Sequence, residues 1–131
     1  MSQSASSFGL NAIGQIGVTV ADLPRAIAFY RDTLGMRFLF QAGTMVFFDC
    51  GGIRLLLGLP EAAGPAAGRI SSIIYYKVTD IQEAHKTLVA RGVAFLASPR
   101  LVARLADHDL WLAEFRDPDG NFLALMSEVR H

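Results

Sequence analysis

The sequence predicts an α+β fold built from two tandem βαβββ modules, and three observations carry that expectation. A β-branched strand followed by an amphipathic helix occurs twice, near Ile13 and again near Ser72. After each helix come short apolar runs separated by glycine. The two stretches also overlay. An offset of 58 sets Val20 on Val78, Asp22 on Asp80 and Ala26 on Ala84. An offset of 68 sets Asp49 on Asp117, Gly52 on Gly120, Leu55 on Leu123 and Leu57 on Leu125. Matched positions in a matched order of elements argue for an internal duplication. The 131 residues are expected to form one domain. Module one covers about 12–59, a linker about 60–70, and module two about 71–127.

Each element has a local reason. Ile13 to Val20 alternates β-branched with small or polar residues, which is strand grammar. Asp22 stands at a helix N-cap with Pro24 in the first turn. Leu23, Ala26, Ile27, Tyr30 and Leu34 recur at helical spacing until Gly35 stops the helix. Met36 to Phe40, Thr44 to Cys50 and Ile53 to Leu57 read as strands. Pro60 to Gly68 is rich in Pro, Gly and Ala and reads as the linker. Ser72 to Val78 then repeats the first strand. Asp80 with Glu83 repeats the cap, and Ile81, Ala84 and Leu88 give the helical stripe up to Arg91-Gly92. Val93 to Leu96, Leu110 to Arg116 and Asn121 to Met126 are the remaining predicted strands. Arg100 to Asp109 reads as a mixed loop, and Asp117-Pro118-Asp119-Gly120 as a tight turn.

Composition narrows the function. Twelve Lys and Arg balance twelve Asp and Glu, so no basic face for nucleic acid is expected. Nor is there a polybasic segment for a membrane surface. The chain is 52% hydrophobic and only 18% charged, which points to surface covered by a partner and to a homodimer. A single cysteine, Cys50, permits no internal disulfide and is expected to be structural. The Ser-rich start has no apolar run of a signal peptide, and no stretch reaches membrane-span length, so a cytoplasmic location is expected. P-loop, dinucleotide-binding and nucleophile-elbow patterns are absent from the sequence.

The segments IGQIGVTVADLPRAIAFYRDTLGM and FRDPDGNFLALM, within the tandem βαβββ plan, resemble the vicinal oxygen chelate superfamily. Its members include glyoxalase I, extradiol dioxygenases, methylmalonyl-CoA epimerase, fosfomycin-resistance enzymes and bleomycin-binding resistance proteins. The resemblance spans Ile13 to about Met126. It implies modules that curl into half-barrels of mixed sheet, with a helix packed on each convex face and a cavity between modules. In metal-dependent members it also implies four ligands, one on the first and one on the last strand of each module. Those positions hold Gln15, Leu56, Ile73 and Ala124 here. Three are hydrocarbon, and one amide oxygen does not hold a divalent ion. No metal or other cofactor is therefore expected, a divalent ion held by Gln15 and His108 being the lesser alternative. His85 reads as a boundary residue and His131 as a frayed end.

Strand parity then describes the cavity. Gln15, Gly17 and Thr19 share its side with Ile73, Tyr75 and Lys77, leaving Tyr76 as core. Arg54 and Leu56 join them from module one, and Phe122, Ala124 and Met126 from module two. His108, Trp111 and Glu114 complete the candidate ligand-binding set. The 68-residue offset sets Glu114 against Val46 and Arg116 against Phe48, which leaves the face of that strand open. A cavity-facing Glu114 would be a candidate base with a raised pKa; an outward one would be solvated or paired with an arginine. Arg100 and Arg104 are expected to be solvated. The leading expectation is a metal-independent protein that binds a small aromatic or amphipathic molecule, as the bleomycin-binding proteins do. Two alternatives stand beside it. One is a glyoxalase- or dioxygenase-type lyase or isomerase with a non-standard site around Gln15, Glu114 and His108, and the other is a structural or regulatory dimer with a filled barrel.

Overall fold

In a computed structural model, which describes residues 8, 9, 11–60 and 72–131, both repeats fold into a helix and a four-stranded mixed sheet. The expected linker lies, beyond residue 60, outside the described residues. Module one contains β1 (Gln15–Thr19), α1 (Leu23–Ile27), β2 (Arg37–Ala42), β3 (Met45–Cys50) and β4 (Ile53–Gly58). Module two contains β5 (Ile74–Lys77), α2 (Ile81–Ala90), β6 (Arg100–Arg104), β7 (His108–Arg116) and β8 (Phe122–Arg130). The strand orders are β1-β4-β3-β2 and β5-β8-β7-β6, with the first pair of each parallel and the rest antiparallel. A parallel pair needs a crossover connection, and in each module the helix provides its start.

The caps form as expected. The Asp22 carboxylate accepts from the Arg25 amide at 3.0 Å, and Asp80 accepts from the Glu83 amide at 3.1 Å. The first helix is not uniform, however. After Ile27 it widens into a π-helical turn, Ala28–Thr33, closed by the Leu34 amide on the Phe29 carbonyl. Gly35, at φ 74°, then turns the chain in a conformation that side chains with a Cβ rarely adopt.

Module two departs from expectation at its outer strand. Val93 to Leu96 makes only an isolated bridge, Phe95 to Phe115, because Val93 is drawn under the end of α2 and buried. The sheet is completed instead by β6, within the stretch read as a loop. In Arg-Leu-Val-Ala-Arg, Leu101 and Ala103 are half-buried and the arginines and Val102 exposed, with an irregularity between Leu101 and Ala103, a pattern tolerated at a sheet edge. β7 and β8 also run longer than expected, to His108 and Arg130.

The helix-bearing faces of both sheets share one core. Val20, Ala26, Tyr30, Val46, Phe48 and Leu57 from module one join Ile81, Leu88, Ala113, Phe115 and Leu123 from module two. A buried polar seam ties the modules together. Tyr30 donates to Asp117 Oδ2 at 2.8 Å, and Asn121 Nδ2 donates to Asp117 Oδ2 at 2.8 Å and to the Thr19 carbonyl at 2.9 Å. The amides of Asp119 and Asn121 both donate to Asp117 Oδ1 at 2.9 Å. The turn predicted at Asp117 to Gly120 is thus also the joint between the repeats.

Candidate functional site

Each sheet has one face against the core and one open face, and the register assigns side chains to them. In module one, Gln15 pairs with Arg54, and Gly17 pairs with Leu56, which pairs in turn with Phe47. These residues share the open face, while their neighbours Val46, Phe48, Leu55 and Leu57 are buried in the core. Phe40 on β2 stacks on Phe47 with ring centroids 4.6 Å apart and planes 24° from parallel. The Arg54 guanidinium lies 5.7 Å from the Phe47 centroid. Phe40 is exposed and lies over Phe47, which is itself buried, and a cation beside the pair has complementary electrostatics because the ring face is electron-rich.

In module two, Tyr75 pairs with Ala124, which pairs with Glu114. Lys77, Met126 and Leu112 form the next row, and Arg116 stands 4.4 Å from the Phe122 centroid. The parity expectation for Gln15, Arg54, Leu56, Tyr75 and Ala124 therefore agrees with the register. Ile73 precedes β5 and is exposed.

Glu114 lies on the open face, and its carboxylate is not free. Arg100 Nη1 and Nη2 donate to its two oxygens at 2.6 and 2.9 Å. These bonds hold the carboxyl below the usual range, opposite to the raised pKa expected of a cavity base. Arg100 is correspondingly paired rather than solvated. The ambiguity over this strand came from a one-residue slip. Phe48 pairs with Leu55 as Phe115 pairs with Leu123, so Glu114 matches Phe47, not Val46. One residue inverts the face of a strand.

Trp111 needs correcting for the same reason. It pairs with Ser127 on the core side and packs against the hydrophobic cluster, away from Glu114. His108 begins β7, far from the Glu114–Ala124 pair. Its Nδ1 is 2.7 Å from Asp107 Oδ1, and Arg130 holds the other Asp107 oxygen at 2.7 Å. His131 is not frayed but hydrogen-bonded to Asp109 Oδ1 at 2.8 Å. These contacts keep Asp107 and Asp109 below their ordinary carboxylate range. His85 packs edge-on against Phe95. The structure thus does not bring His108 and Trp111 together with the other candidates.

The metal question turns on donor atoms. On the strands Gln15 has an amide oxygen, whereas Leu56 and Ala124 have none, and Ile73 just before β5 has none. Among the described residues, no group of three or more His, Cys, Asp or Glu side chains is placed to hold a metal ion. The donor set does not fit a divalent cation. Sequence reasoning missed Phe40, Phe47 and Arg116. Alternation along β3, which sends Val46 and Phe48 to the core, was the sequence signal for Phe47. No helix among the described residues is long and apolar enough to cross a membrane.

The family model of the glyoxalase/bleomycin resistance protein/dioxygenase superfamily matches residues 12–125. The uncharacterized protein YraH of Bacillus subtilis is 25% identical over 126 residues, covering 85% of this chain and 94% of that protein. A member of the same superfamily from Sphaerobacter thermophilus is 29% identical with a TM-score of 0.75, covering 91% of this chain and 98% of the other. A lactoylglutathione lyase from Agrobacterium tumefaciens is 24% identical with a TM-score of 0.74, over 91% and 95% of the two chains. At that identity the last likeness is one of fold.

Proposed function

Because the chain belongs to the glyoxalase/bleomycin resistance protein/dioxygenase superfamily, and because hydrocarbon occupies positions where metal-dependent relatives carry ligands, we propose that it binds a small aromatic or amphipathic molecule without a metal. The observation that carries this reading is the open-face platform of Phe40 and Phe47, with Arg54 beside the rings and Leu56 in the next strand. A flat apolar ligand stacks on such a platform, and Gln15 and Arg54 supply hydrogen bonds at its edge. Glu114, held by two bonds to Arg100, does not act as a general base.

The same faces leave large apolar side chains in water: Phe40 is 46% exposed, Tyr75 49% and Ile73 40%. A second copy of the chain covers them in the proposed homodimer, so that ligand and partner share the apolar surface. Elemental analysis of protein purified without metal-affinity steps should find well under one divalent ion per chain. A thermal-shift screen of aromatic compounds should give hits that Phe47→Ala removes. One tightly bound metal per chain would sink the metal-free reading, and a screen without hits would sink the binding reading. Light scattering should give twice 14.2 kDa; the monomer mass would refute the dimer.

A further inference from the structure

The polar seam at Tyr30 has a counterpart that the repeat generates on the other side of the molecule, and that counterpart is hollow. Ile16 corresponds to Ile74 and Leu55 to Leu123 by their pairing, so Tyr30 corresponds to Leu88, Asp119 to Gly51 and Asn121 to Ile53. Tyr30, Asp119 and Asn121 are thus replaced by nonpolar or smaller residues, while the aspartate at the hub, Asp117, is kept as Asp49. A cleft of about 550 Å³ results, between α2 and the β3–β4 turn of module one. That volume lies within the range of ligand pockets, roughly 300–1,000 Å³.

The chemistry of the cleft is specific. Its walls are Met36, Val78, Leu88, Phe115 and Leu125. The hydroxyl of Tyr76, also part of its lining, is buried and has no hydrogen-bond partner. A buried phenol left unpaired is costly, so the site favours an occupant that accepts a hydrogen bond from it. Arg37 and Arg91 also line the cleft, against a single acidic residue, Asp49. Arg91 Nη1 is committed to the Thr33 carbonyl at 2.8 Å, and its remaining N–H groups are available to a ligand. Cys50 lies in the lining too, half-buried, with burial and Asp49 pushing its thiol up, so it contributes bulk and not a thiolate.

The geometry points to a second small-molecule site in this inter-module cleft, distinct from the open-face platform and suited to an apolar monocarboxylate. The apolar body sits among Met36, Leu88 and Phe115, one ligand oxygen accepts from Tyr76, and the anionic end meets Arg37 and Arg91.

The test uses the full chain and two probes, octanoate and 3-phenylpropanoate, followed by methyl and aromatic NMR. Saturable shifts at Met36, Val78 and Leu88 are expected. Tyr76→Phe should weaken binding at least fivefold, and Ala84→Phe, which fills the cleft, should abolish it. Phe47→Ala should leave the shifts at Met36, Val78 and Leu88 unchanged. If Ala84→Phe fails to fold, the Tyr76→Phe ratio alone decides. Three results would overturn the site: no shifts at millimolar probe, shifts confined to the open-face residues Phe40, Phe47 and Tyr75, or equal binding by Tyr76→Phe. A failure of the open-face screen would leave these readouts untouched, so the two sites stand or fall separately.

Discussion

The two seams between the repeats occupy equivalent positions and share an aspartate, Asp117 in one and Asp49 in the other, yet they differ in packing and hydrogen bonding. At one, Tyr30, Asp117 and Asn121 form a closed hydrogen-bonded plug with Tyr30 only 1% exposed. At the other, Leu88 and Gly51 leave a cleft and an unpartnered Tyr76 hydroxyl. Duplication makes two joints, but one is enough to hold the halves in register. The second is then free to lose its packing and leave a cleft. On the proposed reading, stability and binding are separated onto symmetry-related positions.

The strongest way to break that comparison is at Asp117. Its carboxylate accepts from Tyr30, from the Asn121 side chain and from two backbone amides. Asp117→Ala leaves these donors unpaired in a buried setting, and should cost about 3 kcal/mol. For a domain of this size the melting temperature should fall by roughly 10 °C. A loss below about 1 kcal/mol by urea unfolding would mean that the plug does not hold the modules together.

Next in size is a matched pair of hydroxyl deletions. Tyr30→Phe removes a hydroxyl bonded at 2.8 Å and should cost about 1–2 kcal/mol. Tyr76→Phe removes one without a partner and should be neutral or stabilising by up to about 1 kcal/mol. Equal losses in the two variants would show that the seams are energetically alike after all.

The contrast also explains what was legible in the sequence. Strand and helix grammar reads along the chain, so the duplication, the caps at Asp22 and Asp80, and the open-face residues Gln15, Arg54, Leu56, Tyr75 and Ala124 followed from period and parity. The errors arose where a single residue decides the outcome. A one-place slip between β3 and β7 left Glu114 undecided between two faces, and Trp111 was assigned to the cavity although its parity sends it to the core. β6 was hidden because two arginines in five residues look like a loop, yet an edge strand tolerates them. The seams were out of reach for a different reason. Tyr30 and Asp117 are 87 residues apart, and nothing local in either segment announces their contact. Cys50 and Tyr76 are likewise neighbours only through the packing of two modules.

The smallest effect separates the seams by pH. Burial and the Asp117 charge push the Tyr30 phenol far above its ordinary range, and burial pushes Tyr76 up as well. A raised pKa in the folded state means that the unfolded chain releases the proton first. Each phenol's contribution is therefore complete below the unfolded value, about pH 10, and declines as pH rises past it. At pH 10.5 each should subtract on the order of 0.8 kcal/mol from stability relative to pH 8. Tyr30→Phe and Tyr76→Phe should each remove one such share, so both variants should gain on the parent chain as the solution becomes alkaline. Urea unfolding at pH 8, 9.5 and 10.5 checks this. An occupant accepting from Tyr76 would hold that phenol protonated still more firmly. Saturating octanoate should therefore add more stability to the parent chain than to Tyr76→Phe, while Tyr30→Phe should respond as the parent does. A response to octanoate that depended on Tyr30 and not on Tyr76 would assign the ligand to the wrong seam.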